Sequence, residues 1–147
     1  MEFKAEYYAV LELLTRGPKT VDELAAELAM PEHDVSSILS TLEAYGLVER
    51  REKGFIIKRE VYVLSGKGWE VLAQWRNEAK RRVDEAYKLK KEGKDEEAAA
   101  VLDPVAPVLP LLLSLGFIDL AVWAALVGEE TSDFAEGVDV DISSEEF

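Results

Sequence analysis

The sequence predicts a mainly α-helical chain carrying one small β-hairpin, and three observations lead there. Apolar residues recur at helical spacing from Phe3 to Tyr45. A single stretch between Val48 and Leu64 is rich in Val, Ile, Phe and Tyr and is interrupted by Glu52-Lys53-Gly54. Helical spacing returns at Trp69. The 147 residues have room for one compact domain and an extension.

Tyr7, Val10, Leu11 and Leu14 line one face of a first helix, Phe3 to Arg16, which Gly17 and Pro18 stop. Thr20 reads as the N-cap of a second helix, with Glu23 completing a T-x-x-E capping box. Val21, Leu24, Ala25 and Leu28 form its inner face. Met30-Pro31 makes a turn into a third helix, Pro31 to Tyr45, buried along Val35, Ile38, Leu39 and Leu42. The face left to solvent holds His33, Ser36, Ser37, Ser40, Thr41 and Ala44. Gly46 suits the position after that helix, where positive φ is wanted.

Two strands follow, Val48 to Arg51 and Phe55 to Leu64, joined at a tip of Glu52-Lys53-Gly54. Ser65-Gly66-Lys67-Gly68 reads as the turn that ends the hairpin. A long helix is expected over Trp69 to Glu92, with Trp69, Leu72, Trp75, Ala79, Val83, Ala86 and Tyr87 inward and a basic outer face. Asp95 to Leu102 reads as a short helix. Pro104, Pro107 and Pro110 then break the chain without an evident local reason.

Val105 to Val127 is the most apolar segment and approaches the length of a membrane span. Its early prolines, Asp119 and the lack of Lys or Arg beyond it argue against one. Two short helices broken near Gly116 are expected instead, the second running from Ile118 to Val127. So apolar a stripe calls for a covering surface, which a two-fold homodimer supplies most simply. Leu72, Trp75, Ala79, Val83, Leu113, Phe117, Leu120 and Trp123 are the expected seam. Gly128 to Phe147 reads as an acidic, flexible tail, in which Val138, Val140 and Ile142 alternate with Asp139 and Asp141.

The net charge of −13 is unevenly spread. Residues 1–49 hold three basic and ten acidic side chains, residues 50–68 six and two, residues 69–94 eight and five, and residues 95–147 none and thirteen. Only the hairpin and the helix after it can therefore present a basic face. There is no cysteine, hence no disulfide and no thiolate metal site. Asn77 and Gln74 are the lone carboxamides, a composition that fits a heat-adapted cytosol. MEFKAEYYAV lacks the basic-then-apolar layout of a secretion signal, so a cytoplasmic protein is expected.

Helix, turn, helix, Gly stop, strand, basic turn, strand is the order of a winged helix-turn-helix. TVDELAAEL, DVSSILSTLEAYGLVERR and YVLSGKGWEVL resemble winged-helix regulators of the MarR/ArsR type common in archaea. The last of these resembles the L-T-x-x-G-x-x-x-L close of such domains. The same segment resembles the winged-helix extension of archaeal phenylalanyl-tRNA synthetase alpha subunits, without the class-II catalytic core. The first resemblance implies DNA binding; the second leans towards translation. Members of the MarR/ArsR type that read DNA usually carry Arg or Lys where this chain has Ser37, Ser40 and Thr41. Its third helix carries Glu32, Asp34 and Glu43 and no cation.

No residues suggest catalysis or a cofactor. His33 is the single histidine, at an exposed helix start. Ser65 to Gly68 lacks the spacing of a phosphate-binding loop. Asp139, Asp141, Ser143 and Glu145 open like a calcium loop but lack its glycine and its twelfth position. The wing, with Arg50, Arg51, Lys53, Lys58 and Arg59, is the expected contact for DNA or RNA, together with the helix face His33, Ser36, Ser37, Ser40 and Thr41. The organisation expected is a winged-helix domain over 1–68, a dimerising helical extension over 69–127 and the tail over 128–147. The alternative partner is a basic protein or a ribosomal subunit docked on the acidic surfaces; attachment to a membrane is not expected.

Overall fold

The computed structural model describes residues 1–127, so the acidic tail, its alternating segment and its calcium-like opening lie outside the described residues. Among the described residues, seven α-helices and a two-stranded antiparallel sheet follow one another along the chain. They are α1 Ala5–Leu14, α2 Val21–Leu28, α3 Glu32–Ala44, β1 Val48–Lys53, β2 Arg59–Leu64, α4 Gly66–Lys91, α5 Asp95–Leu102, α6 Leu109–Ser114 and α7 Leu120–Val127, with a 3₁₀ turn at Asp103–Val108 before α6. The chain divides into two compact units. One comprises Met1–Ala79 with Pro104–Val108; the other holds Lys80–Asp103 and the described residues from Leu109 on.

The first unit is a winged helix. Its α1 is buried without interruption from Tyr8 to Leu14 rather than along one stripe. The run includes Glu12, only 1% exposed. Tyr8 donates from its hydroxyl to Glu12 Oε2 at 2.5 Å. Arg76 donates twice to the same carboxylate, Nε and Nη2 each at 2.7 Å. Burial first, then the neighbouring Glu12, pushes the Tyr8 hydroxyl far above the ordinary phenol range, so it stays a donor. The hydrogen bond from Glu12 leads the causes that raise Arg76 further. Phe3 covers this cluster, its ring centroid 5.7 Å from both Tyr8 and Trp75.

The capping box expected at α2 is formed in full. Glu23 N–H donates to Thr20 Oγ1 at 3.2 Å, and Thr20 N–H donates to Glu23 Oε1 at 2.9 Å. That backbone hydrogen bond, then the Thr20 hydroxyl, holds the Glu23 carboxyl below its usual range. A carboxyl depressed on folding stabilises above its unfolded pKa of about 4.3 and loses that effect as pH falls through the folded value. Thr20→Ala is expected to cost about 1 kcal/mol at neutral pH. Its deficit against wild type in urea titrations should shrink below about pH 4. A deficit independent of pH would mean that the bond from the Thr20 hydroxyl to the Glu23 carboxylate contributes nothing.

In α3 the expected stripe of Val35, Ile38, Leu39 and Leu42 is buried, and Gly46 follows with φ +78°. Pro31 stands at the N-cap and offers no side-chain cap. Glu32 and Asp34 fall in the first turn, where the helix dipole favours negative charge. Their placement thus has a structural cause independent of any ligand.

The hairpin differs from expectation. The rungs run from Val48↔Leu64 to Lys53↔Arg59, so β1 is longer than expected and β2 begins at Arg59, not Phe55. Gly54, at φ +117°, turns the chain, and a Cβ there would collide with the Ile57 carbonyl. Residues 54–58 form the tip, and Phe55, Ile56 and Ile57 stand 101%, 94% and 78% exposed. β2 also bridges the α1–α2 linker: Tyr62 N–H donates to the Lys19 carbonyl at 2.8 Å, and Lys19 N–H to the Tyr62 carbonyl at 3.2 Å.

The long helix starts earlier than expected, at Gly66 rather than Trp69, and ends at Lys91. Ser65 caps it. Its hydroxyl accepts from Gly68 N–H at 2.9 Å and donates to the Gly46 carbonyl at 2.6 Å. Gly68 is buried, and a Cβ on it would collide with the Leu47 carbonyl. Trp69, expected inside, is 49% exposed, whereas Trp75 is buried. The two tryptophans lie six residues apart, about 600° of helical rotation, so they do not share a face.

The three prolines now have places. Pro104 and Pro107 line an apolar cleft of about 620 Å³ with Phe3, Ala9, Leu28 and Met30. The 3₁₀ turn carrying them buries Val105 and Val108 in the first unit. Pro110 sits in the first turn of α6, where a missing N–H is tolerated.

In the second unit, Asp119 caps α7, its Oδ1 accepting from Val122 N–H at 2.9 Å. The helix therefore begins at Leu120, two residues after the expected start. None of the residues in LAVWAALV is buried. Asp95–Ser114 is the one helical run among the described residues long and apolar enough to cross a bilayer, with mean hydropathy 1.5 and a third of it buried. A core helix meets the same criteria of length and composition.

Candidate nucleic-acid interface

Strand register divides the wing cations between two faces. Residues directly opposite in an antiparallel pair share a face, and neighbours along a strand alternate. The rungs Arg51↔Val61 and Lys53↔Arg59 put Arg51, Lys53 and Arg59 on one side. Arg50↔Tyr62 and Glu52↔Glu60 lie on the other. Lys58 belongs to the tip. The five expected cations are thus three on one face, one on the turn and one turned away.

Arg50 is engaged with this chain's own carboxylates. Its Nε donates to Glu43 at 3.0 Å, and its Nη1 lies 3.7 Å from Glu60. The Glu43 hydrogen bond, followed by the charges of Glu43 and Glu60, raises its pKa. The pair Glu43–Arg50 ties the end of α3 to the base of the wing. The other ion pairs are looser and exposed: Arg51–Glu49 at 3.2 Å, Arg59–Asp22 at 3.4 Å and Lys58–Glu52 at 3.6 Å. Pairs so exposed contribute little stability, and a phosphate can replace the carboxylate. Lys53 makes no ion pair among the described residues. Its side chain and that of Arg59 border a cleft of about 290 Å³ with Pro18, Thr20, Glu23 and Ile57.

On α3, His33, Ser36, Ser37 and Ser40 are exposed, and Thr41 is half-buried. The Thr41 hydroxyl donates to the Ser37 carbonyl at 3.1 Å, which occupies its donor. The rest of this face has small hydroxyls and a solvated imidazole, bordered by Glu32 and Asp34. It can accept and donate single hydrogen bonds but cannot make the bidentate contact with guanine that arginine makes.

Of the eight residues expected at a dimer seam, Leu72, Trp75, Ala79 and Val83 are buried within the chain itself. Leu113, Phe117 and Trp123 are half-buried and Leu120 is exposed. Lys80 lies over the Phe117 ring, 4.6 Å from its centroid. Among the described residues no group of three potential metal ligands comes together. Sequence reasoning missed the Glu12–Arg76 pair, the Ser65 cap and the Lys19–Tyr62 bridge. Only Ser65, a hydroxyl three residues before Gly68 at a helix start, left a local trace.

Comparison with known proteins places residues 3–65 in register with the model of a family described as the sugar-specific transcriptional regulator TrmB. Among solved structures, the chain is similar to NMB1585, a MarR family regulator from Neisseria meningitidis. The identity is 24% and the TM-score 0.44, over 75% of this chain and 78% of that one. It is also similar to Bacillus subtilis PadR in complex with operator DNA, at 15% identity and a TM-score of 0.49, over 98% and 99% of the two chains. No curated protein sequence matches.

Proposed function

We propose that this protein is a non-enzymatic, cytoplasmic, homodimeric winged-helix regulator that holds DNA mainly through its wing. The observation that carries the reading is the hairpin face of Arg51, Lys53 and Arg59, continued by Lys58 at the tip, on a unit whose α3 has no cation. The match of residues 3–65 to a family of transcriptional regulators supports it. Phosphate binding by the wing supplies affinity, and the serine-bearing α3 reads weakly or through DNA shape. The apolar α7, with Leu113, Phe117, Leu120 and Trp123 still partly accessible, supplies the surface for a second copy.

Changing Arg51, Lys53, Lys58 and Arg59 together to Gln should weaken binding to duplex DNA about 100-fold at low salt. The slope of log K against log salt should fall by roughly 3 to 4, about 0.9 for each phosphate the protein no longer neutralises. Fluorescence anisotropy over a salt series checks both. Unchanged affinity and slope in the quadruple variant would remove the wing from the interface.

A second reading rests on the exposed Glu32 and Asp34 at the start of α3, where a basic protein or a ribosomal subunit could dock. With such a partner in place of the duplex, its signature is opposite. The complex would survive the wing variant and disappear on charge reversal of Glu32 and Asp34.

A further inference from the structure

Hairpin tips are ordinarily built from Gly, Asn, Asp, Pro or Ser. This one carries Phe55, Ile56 and Ile57 in succession, all more than three-quarters exposed. They are held out by a specific turn: Gly54 at φ +117° lets the chain pass so close to Ile57 that a Cβ would meet its backbone carbonyl. In sequence the apolar tip is bracketed by cations, Arg51 and Lys53 entering and Lys58 and Arg59 leaving; Arg51, Lys53 and Arg59 share one face of the hairpin, and Glu52 and Glu60 share the other. A surface that is apolar at its apex and positive along one face is complementary to a ligand with an apolar interior beside a line of negative charge.

Duplex DNA has that profile along its minor groove, about 6 Å wide with stacked bases at its floor and phosphates on each rim. Proteins that bend DNA there insert Phe, Leu, Ile, Met or Pro side chains between base steps. An anionic bilayer offers the same chemistry as a plane. The match of residues 3–65 to a family of transcriptional regulators favours the duplex over the plane. We propose that Phe55, Ile56 and Ile57 form an apolar wedge that enters the minor groove and unstacks a base step, with Arg51, Lys53, Lys58 and Arg59 on the flanking phosphates. This rests on the reading that the wing binds DNA, and it gives the wing a means of selection that α3 lacks. Pyrimidine–purine steps, which unstack most easily, are the sequences it favours.

The test uses the full-length protein and a duplex of about three helical turns, roughly 30 bp, carrying 2-aminopurine at a central TA step. The variant is Phe55→Ser, Ile56→Ser, Ile57→Ser in one chain, with the four cations intact. These side chains lie outside the core, and circular dichroism verifies that the variant folds as wild type does. Wild type should bind with a rise in 2-aminopurine fluorescence and a bend of at least about 20° by end-to-end energy transfer. The triple variant should abolish both signals and bind about tenfold more weakly, equivalent to ~1.4 kcal/mol, while keeping the wild-type salt slope. Wild-type binding without unstacking or bending overturns the wedge but leaves the wing reading standing. Equal affinity and bending in the triple variant does the same. No duplex binding by wild type overturns both. Binding to phosphatidylglycerol-containing vesicles that vanishes in the triple variant, with duplex binding unchanged, overturns the wedge and gives the tip to a bilayer.

Discussion

Arg76→Met is expected to destabilise the first unit by about 3 kcal/mol. Glu12 is 1% exposed, and three hydrogen bonds satisfy its carboxylate, two of them from Arg76. Removing the guanidinium leaves a buried negative charge with only the Tyr8 hydroxyl. Breaking a buried pair from one side costs about 3 to 5 kcal/mol. The lower end applies here, because the Arg76 side chain is 32% exposed and water reaches it. The combined variant Tyr8→Phe, Glu12→Met, Arg76→Met should recover most of the loss, since apolar groups of similar volume remove the charge along with its partner. Urea denaturation followed through Trp69 and Trp75 fluorescence, in a Trp123→Phe background, measures each. A single variant within about 0.5 kcal/mol of wild type would show that the pair contributes nothing net. A combined variant no better than the single would show that packing around the clip matters more than its charge.

Gly68→Ala should cost about as much, roughly 3 kcal/mol, at the upper end of overpacking. The added Cβ meets the Leu47 carbonyl, with the Leu47 carbonyl carbon 3.1 Å away and Leu64 Cδ2 at 3.2 Å. The leucine side chain can move, but the carbonyl cannot move cheaply. It already accepts from Ser65 N–H at 3.0 Å, and Ser65 in turn caps α4. Relief therefore means shifting the start of α4 or the start of β1, and either shift disturbs the hairpin base. Gly66→Ala is the control: a Cβ there meets nothing within 4 Å, and alanine favours helix. Gly66→Ala should be neutral or stabilising. Equal effects at the two positions would show that helix propensity, not the close approach, governs this corner.

Legibility in the sequence followed the range of the interactions involved. The Thr20/Glu23 box and the α3 stripe are local, and both could be read because three- and four-residue spacing alone determines them. The helix at Gly66 could not: two glycines in three residues argue for a turn, and the reason for Gly68 lies 21 residues earlier at Leu47. The wing tip misled for a related cause. Phe55-Ile56-Ile57 has strand composition, but a strand needs partners, and the last rung is Lys53↔Arg59. Alternation along a strand separates neighbouring wing cations once the register is known. It could not reveal that Arg50 turns to Glu43, or that Tyr8 and Glu12, neighbours at i and i+4, wait on Arg76 for their third member. Helical periodicity likewise marks Leu72, Trp75, Ala79 and Val83 as apolar without telling an internal stripe from an external one.

The hairpin's outer rungs set like against like, Glu52 opposite Glu60 and Lys53 opposite Arg59. Such pairs work against the ladder they belong to, and here they fall at the end farthest from the core. The distal wing is therefore the part of the sheet whose order is least self-sufficient, relieved only by exposed neighbours such as Asp22 and Lys58. A polyanion laid along Lys53 and Arg59 turns their mutual repulsion into a shared attraction. Occupancy and hairpin order then rise together. On the reading that the wing holds DNA, part of the affinity is therefore spent in ordering the outer rungs of the hairpin.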